Sequence, residues 1–435
     1  MRITVFGLGY VGLVSCACLA RDGHHVLGID KSDEKVSKIN GGLSPIVEPG
    51  LTDLIRAATA KGMLRASNQS LAQVVDSEII FICVGTPTLP NGSIDTRQVE
   101  KVGGEIGKIL RDSDRKPLIC LRSTVIPGSS ENIFIPAIER FSGKKMGEGF
   151  SYVYHPEFLR ETTAIADYDA PGRIIFGSFQ RNAEDLCNQI YPHIDAQRFF
   201  LKPKEAELVK YCDNAYHALK ITFANEIGMI AKEIGIDSHK VMDVFVADSK
   251  LNISKNYFKP GFAFGGSCLP KDVQALTCFA RKLELRTPLL ESLMVSNENI
   301  KNVVFQKIYE LEPKRVAFLG ISFKQGTDDL RNSPMVDLVK NCIAEGINCL
   351  VLDQGVHPEN MVGQNKTALE VNLPHFARYA VCSHEELSDC DVWVLGHRQQ
   401  DLSPIFEALD RRAYVLDLVR HEELLGRERY IGVCW

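Results

Sequence analysis

The chain has 435 residues, 45% of them hydrophobic and 24% charged, with 50 Lys and Arg against 55 Asp and Glu for a net charge of −5. That length supports several domains with substantial cores and requires no metal or disulfide staple. The slightly acidic balance argues against a nucleic-acid or anionic-membrane footprint, while leaving room for a local basic pocket around a small phosphate-bearing ligand.

The first residues, MRITVFGLGYVGLVSCACLA, have the apolar character of a secretory leader. Glycines interrupt the stretch where a strand, a turn and a helix would need them, so a folded element is the better reading. No run approaches the ~18 apolar residues of a membrane span. The 13 cysteines include no C-x-x-C pair and no zinc spacing. Most lie in apolar runs, as small buried side chains of a protein kept reduced in the cytoplasm.

In chain order, Arg2–Gly7 is predicted as a strand, Val11–Arg21 as a helix closed by Gly23, and His25–Asp30 as a second strand. Asp33–Asn40 begins another helix, followed by the loop GGLSPIVEPG. Glu78–Val84 and Lys116–Leu121 are continuous apolar runs, as for strands buried on both faces. Strands alternating with helices imply βαβ units and a parallel sheet. From Ala206 to Ile234 the pattern is helical, and it stays helical through Ser238–Val246 and Val273–Asn299, around the loop NYFKPGFAFGGSCLPKD. The tail repeats the start: strands at Arg315–Gly320, Asn348–Asp353, Asp391–Gly396 and Tyr414–Leu418, with a helix at Pro334–Ala344 closed by Gly346. The expected fold is α/β: two doubly wound parallel-sheet domains joined by a long helical segment.

Gly7-Leu8-Gly9-Tyr10-Val11-Gly12 is a G-x-G-x-x-G turn between a strand and a helix, with Asp30 at the end of the next strand. The glycines permit a tight turn and close approach of a pyrophosphate, and the helix N-terminus offers free N–H groups. Asp30 would accept hydrogen bonds from ribose hydroxyls and repel a 2′-phosphate, favouring NAD over NADP. The C-terminal echo, Gly320-Ile321-Ser322-Phe323-Lys324, keeps one glycine of the three. It is expected to bind a single nucleotide rather than a dinucleotide.

Cys268 stands apart from the other cysteines. It follows two glycines and precedes Lys271 and Asp272, a setting that exposes the thiol and favours thiolate. Lys210, Asn214 and His217 fall at i, i+4 and i+7 on one helix face. They form a reactive stripe or, with Glu207 and Asp213 beside them, a solvated polar face. His155-Pro-Glu157-Phe-Leu-Arg-Glu161 reads equally as a base with substrate ligands or as a charged loop. The loop carrying Lys324, Asp328, Asp329 and Arg331 follows the C-terminal strand, where open α/β sheets bind ligands, and reads equally as a ligand-binding loop or a charged surface loop.

Seven segments, GLGYVG, SPIVEPGL, FICVGTP, RSTVIPG, HPEFLRETTAI, FGGSCLPKD and SFKQGTDDLRNSP, resemble in order the signatures of the UDP-glucose/GDP-mannose dehydrogenase family. They span nearly the whole chain. KITFANEIG and the terminal IGVCW are most similar to members that act on GDP-mannose. The resemblance implies an NAD-dependent nucleotide-sugar 6-dehydrogenase that removes four electrons from a sugar C6 alcohol through a cysteine thiohemiacetal and thioester. It places the nucleophile at Cys268, oxyanion stabilisation at Lys210 and Asn214, proton transfer at Asp272 and the hydrolytic water at Glu157. NAD would contact Tyr10, Val11, Asp30, Lys35, Thr86, Thr124, Lys271 and Arg331, beside Gly7, Gly9 and Gly12. The nucleotide sugar would contact Glu161, Lys210, Asn214, His217, Asn225, Tyr257, Lys259, Phe262, Gly265 and Lys324.

Asn256 and Lys259 depart from the pattern, standing where an aromatic residue and an arginine are expected; lysine cannot clamp a phosphate bidentately. The implied domains are 1–202 (NAD-binding, Rossmann-like), 203–300 (central, helical, with the cysteine loop) and 301–435 (sugar-nucleotide-binding, Rossmann-like). The expected assembly is a homodimer or higher homo-oligomer sharing the central helix. Neither a metal nor a nucleic-acid or membrane partner is expected. Two rivals remain on the residues alone: a two-electron hydroxyacid dehydrogenase, which gives Cys268 no role, and a non-catalytic nucleotide sensor.

Overall fold

The computed structural model describes residues 1–69, 74–91, 93–179, 183–254, 260–266, 269–323, 325, 327, 329–356, 363–399 and 401–435. They form two units, Met1–Ala218 and Leu219–Trp435.

The first unit is built on eight strands: β1 Arg2–Phe6, β2 His25–Ile29, β3 Leu64–Ser67, β4 Ile79–Ile82, β5 Leu118–Leu121, β6 Ser151–Tyr154, β7 Ile174–Gly177 and β8 Arg198–Leu201. Their order is β3-β2-β1-β4-β5-β6-β7-β8. All neighbours are parallel except β6 and β7, which run antiparallel where Tyr154 meets Gly177. The chain therefore departs from the expected all-parallel sheet at one pairing. β4 and β5 are buried at every residue because helices cover both faces, which is why their sequences are unbroken apolar runs. β1 has β2 on one side and β4 on the other. The strand order reverses there, and the crevice beyond the carboxyl ends of β1 and β4 is where an open α/β sheet receives ligands.

The helix Pro203–Glu233 carries the chain from the first unit into the second. Further helices follow at Ser238–Ala247, Leu269–Lys282 and Pro288–Tyr309. The sequence predicts unbroken helical character over Val273–Asn299; the structure interrupts it. Glu284 takes a left-handed φ of 58°, and Pro288 opens the next helix, where its missing N–H costs nothing. The buried Glu226 carboxylate accepts the free N–H groups of Leu289 and Leu290 at 2.8 and 3.0 Å, satisfying that helix start.

The second sheet is wholly parallel in the order β10-β9-β11-β12-β13, with β9 Arg315–Leu319, β10 Asn348–Leu352, β11 Val392–Leu395, β12 Tyr414–Asp417 and β13 Tyr430–Gly432. The echo of the first domain extends to conformation. Gly320 has φ +83° against +91° at Gly7, and Asp353 accepts the Ile321 N–H at 2.7 Å as Asp30 accepts that of Leu8 at 2.8 Å.

Among the described residues no helix is long and apolar enough to cross a membrane, and no group of His, Cys, Asp and Glu could hold a metal. Among the described residues no disulfide links any cysteines. Burial pushes the Cys16 and Cys120 thiols far up and that of Cys83 to about 12, so they behave as small apolar side chains. Cys212, Cys278, Cys382 and Cys434 are exposed, against the expectation of general burial.

Candidate active site

The Gly7–Gly12 turn leaves β1 with geometry that only glycine permits. Gly7 sits at φ +91°, and a Cβ on Gly12 would lie 1.9 Å from the Gly7 carbonyl oxygen. The helix Tyr10–Arg21 starts directly after Gly9, which makes no side-chain cap and around whose missing Cβ there is open space. A ligand can therefore reach the first N–H groups of the helix.

Asp30 is held in place by two backbone donors, Leu8 N–H at 2.8 Å and Ser32 N–H at 3.0 Å, with Lys35 Nζ 3.5 Å from the same carboxylate. A carboxylate has about four acceptor positions; the two backbone N–H groups and Lys35 take three, and one remains open to a ribose hydroxyl. Thr86 donates to the Thr124 carbonyl at 2.7 Å, bringing these two predicted contacts together. This cradle fits NAD. Replacing Asp30 by alanine is expected to narrow the preference for NAD⁺ over NADP⁺ at least about tenfold, because the carboxylate that would oppose a 2′-phosphate is gone. Ratios of kcat/KM for the two cofactors check this; equal ratios in the unmodified protein would sink the assignment.

Four predicted chemical residues of the first unit line one cavity of about 440 Å³: Glu157, Lys210, Asn214 and His217. Lys210 is 8% exposed. Its ammonium donates to the Glu157 carbonyl at 2.6 Å and lies 3.1 Å from the Glu157 carboxylate, 5.2 Å above the Phe158 ring. Glu157 also accepts the Leu159 N–H at 2.9 Å. Asn214 and His217 are exposed at the same cavity wall.

Of the stripe only Lys210 is buried, and the two carboxylates beside it are engaged elsewhere. Glu207 is fully buried and takes the N–H groups of Gly128 and Ser130, while Asp213 pairs with Arg173 at 2.5 Å. Both carboxylates thus point to other partners, leaving the Lys210 row to the cavity. His155 is no base here: its ring bonds the Ile175 carbonyl at 2.8 Å and the Tyr191 hydroxyl at 3.0 Å, and burial holds its pKa well below the usual range. Glu161 is exposed and lies outside the cavity lining.

In the second unit, Cys268, Tyr257, Lys259, Lys324, Asn256 and Asp328 lie outside the described residues. What precedes the cysteine is closely held. The Asn297 side chain accepts the Phe264 N–H and donates to its carbonyl, both at 2.9 Å. Asn332 donates to the Gly266 carbonyl at 3.1 Å, and a Cβ on Gly265 would lie 2.4 Å from the Asn332 carbonyl oxygen. The helix beginning at Leu269 follows at once.

Lys271 and Asp272 are exposed and 3.3 Å apart. Arg331 pairs with Asp329 at 2.6 Å. Phe262 packs on the second core, and Asn225 is exposed on the long helix. Sequence reasoning missed Asn297, whose signal is an amide on the buried stripe it shares with Leu290, Lys301, Val304 and Ile308.

The sequence profiles of the UDP-glucose/GDP-mannose dehydrogenase family match this chain three times: the NAD binding domain at residues 1–195, the central domain at 204–299 and the UDP binding domain at 317–420. The chain belongs to this family. It is 44% identical to a GDP-mannose 6-dehydrogenase of Pseudomonas putida over the full length of both. It is 34% identical to a UDP-glucose 6-dehydrogenase of Haloferax volcanii, over 83% of this chain and 85% of that one. Among solved structures, a ternary complex of GDP-mannose dehydrogenase from Pseudomonas aeruginosa is 43% identical, covers all of both chains and has a TM-score of 0.95. The Gly7–Gly12 cradle, Asp30 and the Lys35, Thr86 and Thr124 contacts all fall in the segment matched as the NAD binding domain, and the family member described here is an NAD-dependent oxidoreductase.

Proposed function

We propose that this chain oxidises the C6 alcohol of GDP-mannose to the carboxylate in two successive two-electron steps. The observation that carries the substrate is full-length identity of 44% to a GDP-mannose enzyme against 34% to a UDP-glucose enzyme.

NAD⁺, when bound, supplies the acceptor for the two electrons of each step. The first step gives an aldehyde, which has no readily oxidised C–H next to a hydroxyl. Addition of the Cys268 thiolate to its carbonyl carbon creates one, as a thiohemiacetal. The second step leaves a thioester, and attack of water releases the acid and returns the thiolate. Lys210 and Asn214 stabilise the oxyanion formed at C6, often the largest single contribution to such catalysis. Asp272 takes part in proton transfer. Glu157, fixed by Lys210 and by the Leu159 N–H, orients the hydrolytic water.

The reading includes a homodimer or higher homo-oligomer built on the long helix, supported by the apolar side chains that helix leaves exposed, among them Ile221 at 64% and Met229 at 41%. It places the protein in the cytoplasm, where thiols such as the exposed Cys212 and Cys278 stay reduced.

The test is competition between GDP-mannose and UDP-glucose at one NAD⁺ concentration. A site that hydrogen-bonds the guanine edge and the axial C2 hydroxyl is expected to favour GDP-mannose at least about 100-fold in kcat/KM. Preference for UDP-glucose would overturn the substrate and leave the chemistry standing.

A further inference from the structure

The segment SPIVEPGL plays no part in the chemistry above, yet its one carboxylate is buried. Glu48 is 7% exposed, on the loop between the helices Asp33–Asn40 and Leu51–Ala60. It accepts the Thr162 N–H at 2.8 Å on one oxygen and the Ala164 N–H at 2.9 Å on the other. The Tyr10 hydroxyl donates to it as well and itself accepts the Thr162 N–H at 3.0 Å. Burial and the bond to Glu48 push the Tyr10 phenol up to about 12, so it stays a donor across the working range. Among the described residues no lysine, arginine or histidine pairs with Glu48, so these neutral donors are what compensates its buried charge.

Each partner belongs to a ligand-bearing segment. Tyr10 is the first residue of the helix behind the dinucleotide turn. Thr162 and Ala164 close the loop that carries Glu157 and Glu161. Thr162 has a left-handed φ of 72°, a region β-branched residues rarely enter and keep only where their surroundings over-determine it. Glu48 and Tyr10 supply that determination.

We propose that Glu48 is a positioning residue: its carboxylate ties the loop bearing Glu157 and Glu161 to the dinucleotide turn, so that nucleotide sugar and NAD bind to one rigid frame. The proposal rests on the function given above.

The test uses the full-length enzyme with GDP-mannose at saturating NAD⁺. In Glu48→Gln, one backbone N–H faces an amide N–H₂ instead of an oxygen. The KM for GDP-mannose is expected to rise at least tenfold, the loss usual for a hydrogen bond to a charged group, about 1.4 kcal/mol or more. Tyr10→Phe keeps both backbone bonds to Glu48 and is expected to raise the same KM by about threefold. A merely structural role would lower the active fraction, and so apparent kcat, without moving KM. An unchanged KM in Glu48→Gln overturns the proposal. If that variant does not fold, an unchanged KM in Tyr10→Phe overturns it. Should the unmodified enzyme fail to oxidise GDP-mannose, the substrate reading falls instead, and the same KM comparison is made with the nucleotide sugar it does oxidise.

Discussion

Enzyme carrying Cys268→Ser forms no measurable acid: the rate is expected to fall by at least about 10³-fold, while GDP-mannose and NAD⁺ still bind. The second oxidation requires a nucleophile on the aldehyde carbon. A serine hydroxyl is too weak for this without a dedicated base, whereas a cysteine is partly ionised near neutrality. The sequence setting is expected to strengthen that ionisation. The helix Leu269–Lys282 starts at the next residue, and Lys271 follows within its first turn. A helix N-terminus and a nearby ammonium both favour thiolate. The bonds from Asn297 and Asn332 to Phe264 and Gly266 hold the chain just before the nucleophile, so one substituted atom should leave the loop in place. Acid quantified by chromatography, with binding by calorimetry, checks this. Acid formed at near wild-type rate would refute the covalent route.

The second large effect is at Lys210. Lys210→Met keeps roughly the length and apolar stem of the side chain but removes the charge, and with it the ammonium's contact with the Phe158 ring. Losing one oxyanion donor typically costs about 10²–10³ in kcat, and that range is expected here. Glu157 would lose its ammonium partner as well, leaving a largely buried carboxylate with the Leu159 N–H. Some stability should therefore go with the activity, visible as a lower Tm. Affinity for NAD⁺ is expected to hold within about twofold, because the Asp30 cradle shares no hydrogen bond with Lys210. A variant that loses NAD⁺ affinity but keeps kcat would reverse the roles assigned to the two regions.

Most strands could be read from the sequence because burial on both faces leaves long apolar runs, as in Ile79–Ile82 and Leu118–Leu121. Leu64–Ser67, Ile174–Gly177, Arg198–Leu201 and Tyr430–Gly432 could not, being only three or four residues each. Arg198–Leu201 is only partly buried and reads as neither an alternating nor a continuous strand, and the antiparallel contact of Tyr154 with Gly177 rests on one residue pair. The break at Glu284 leaves no trace in the sequence pattern, because apolar periodicity does not register a single left-handed residue.

At the site, the Lys210 stripe was visible as spacing, but its meaning was not. What decides between a reactive row and a solvated face is where Glu207 and Asp213 turn, and that depends on Ser130 and Arg173, far away in sequence. Glu48 was hidden for the same reason. Its partners lie 38, 114 and 116 residues distant, and only the fold assembles them.

The central claim is four-electron oxidation of one C6 alcohol by one enzyme. The direct measurement is NADH formed per acid when a limiting amount of GDP-mannose is run to completion, reading NADH by absorbance and acid by chromatography. The account requires two NADH for each carboxylate, with no free aldehyde accumulating. One NADH per sugar nucleotide, with the aldehyde as end product, would contradict it.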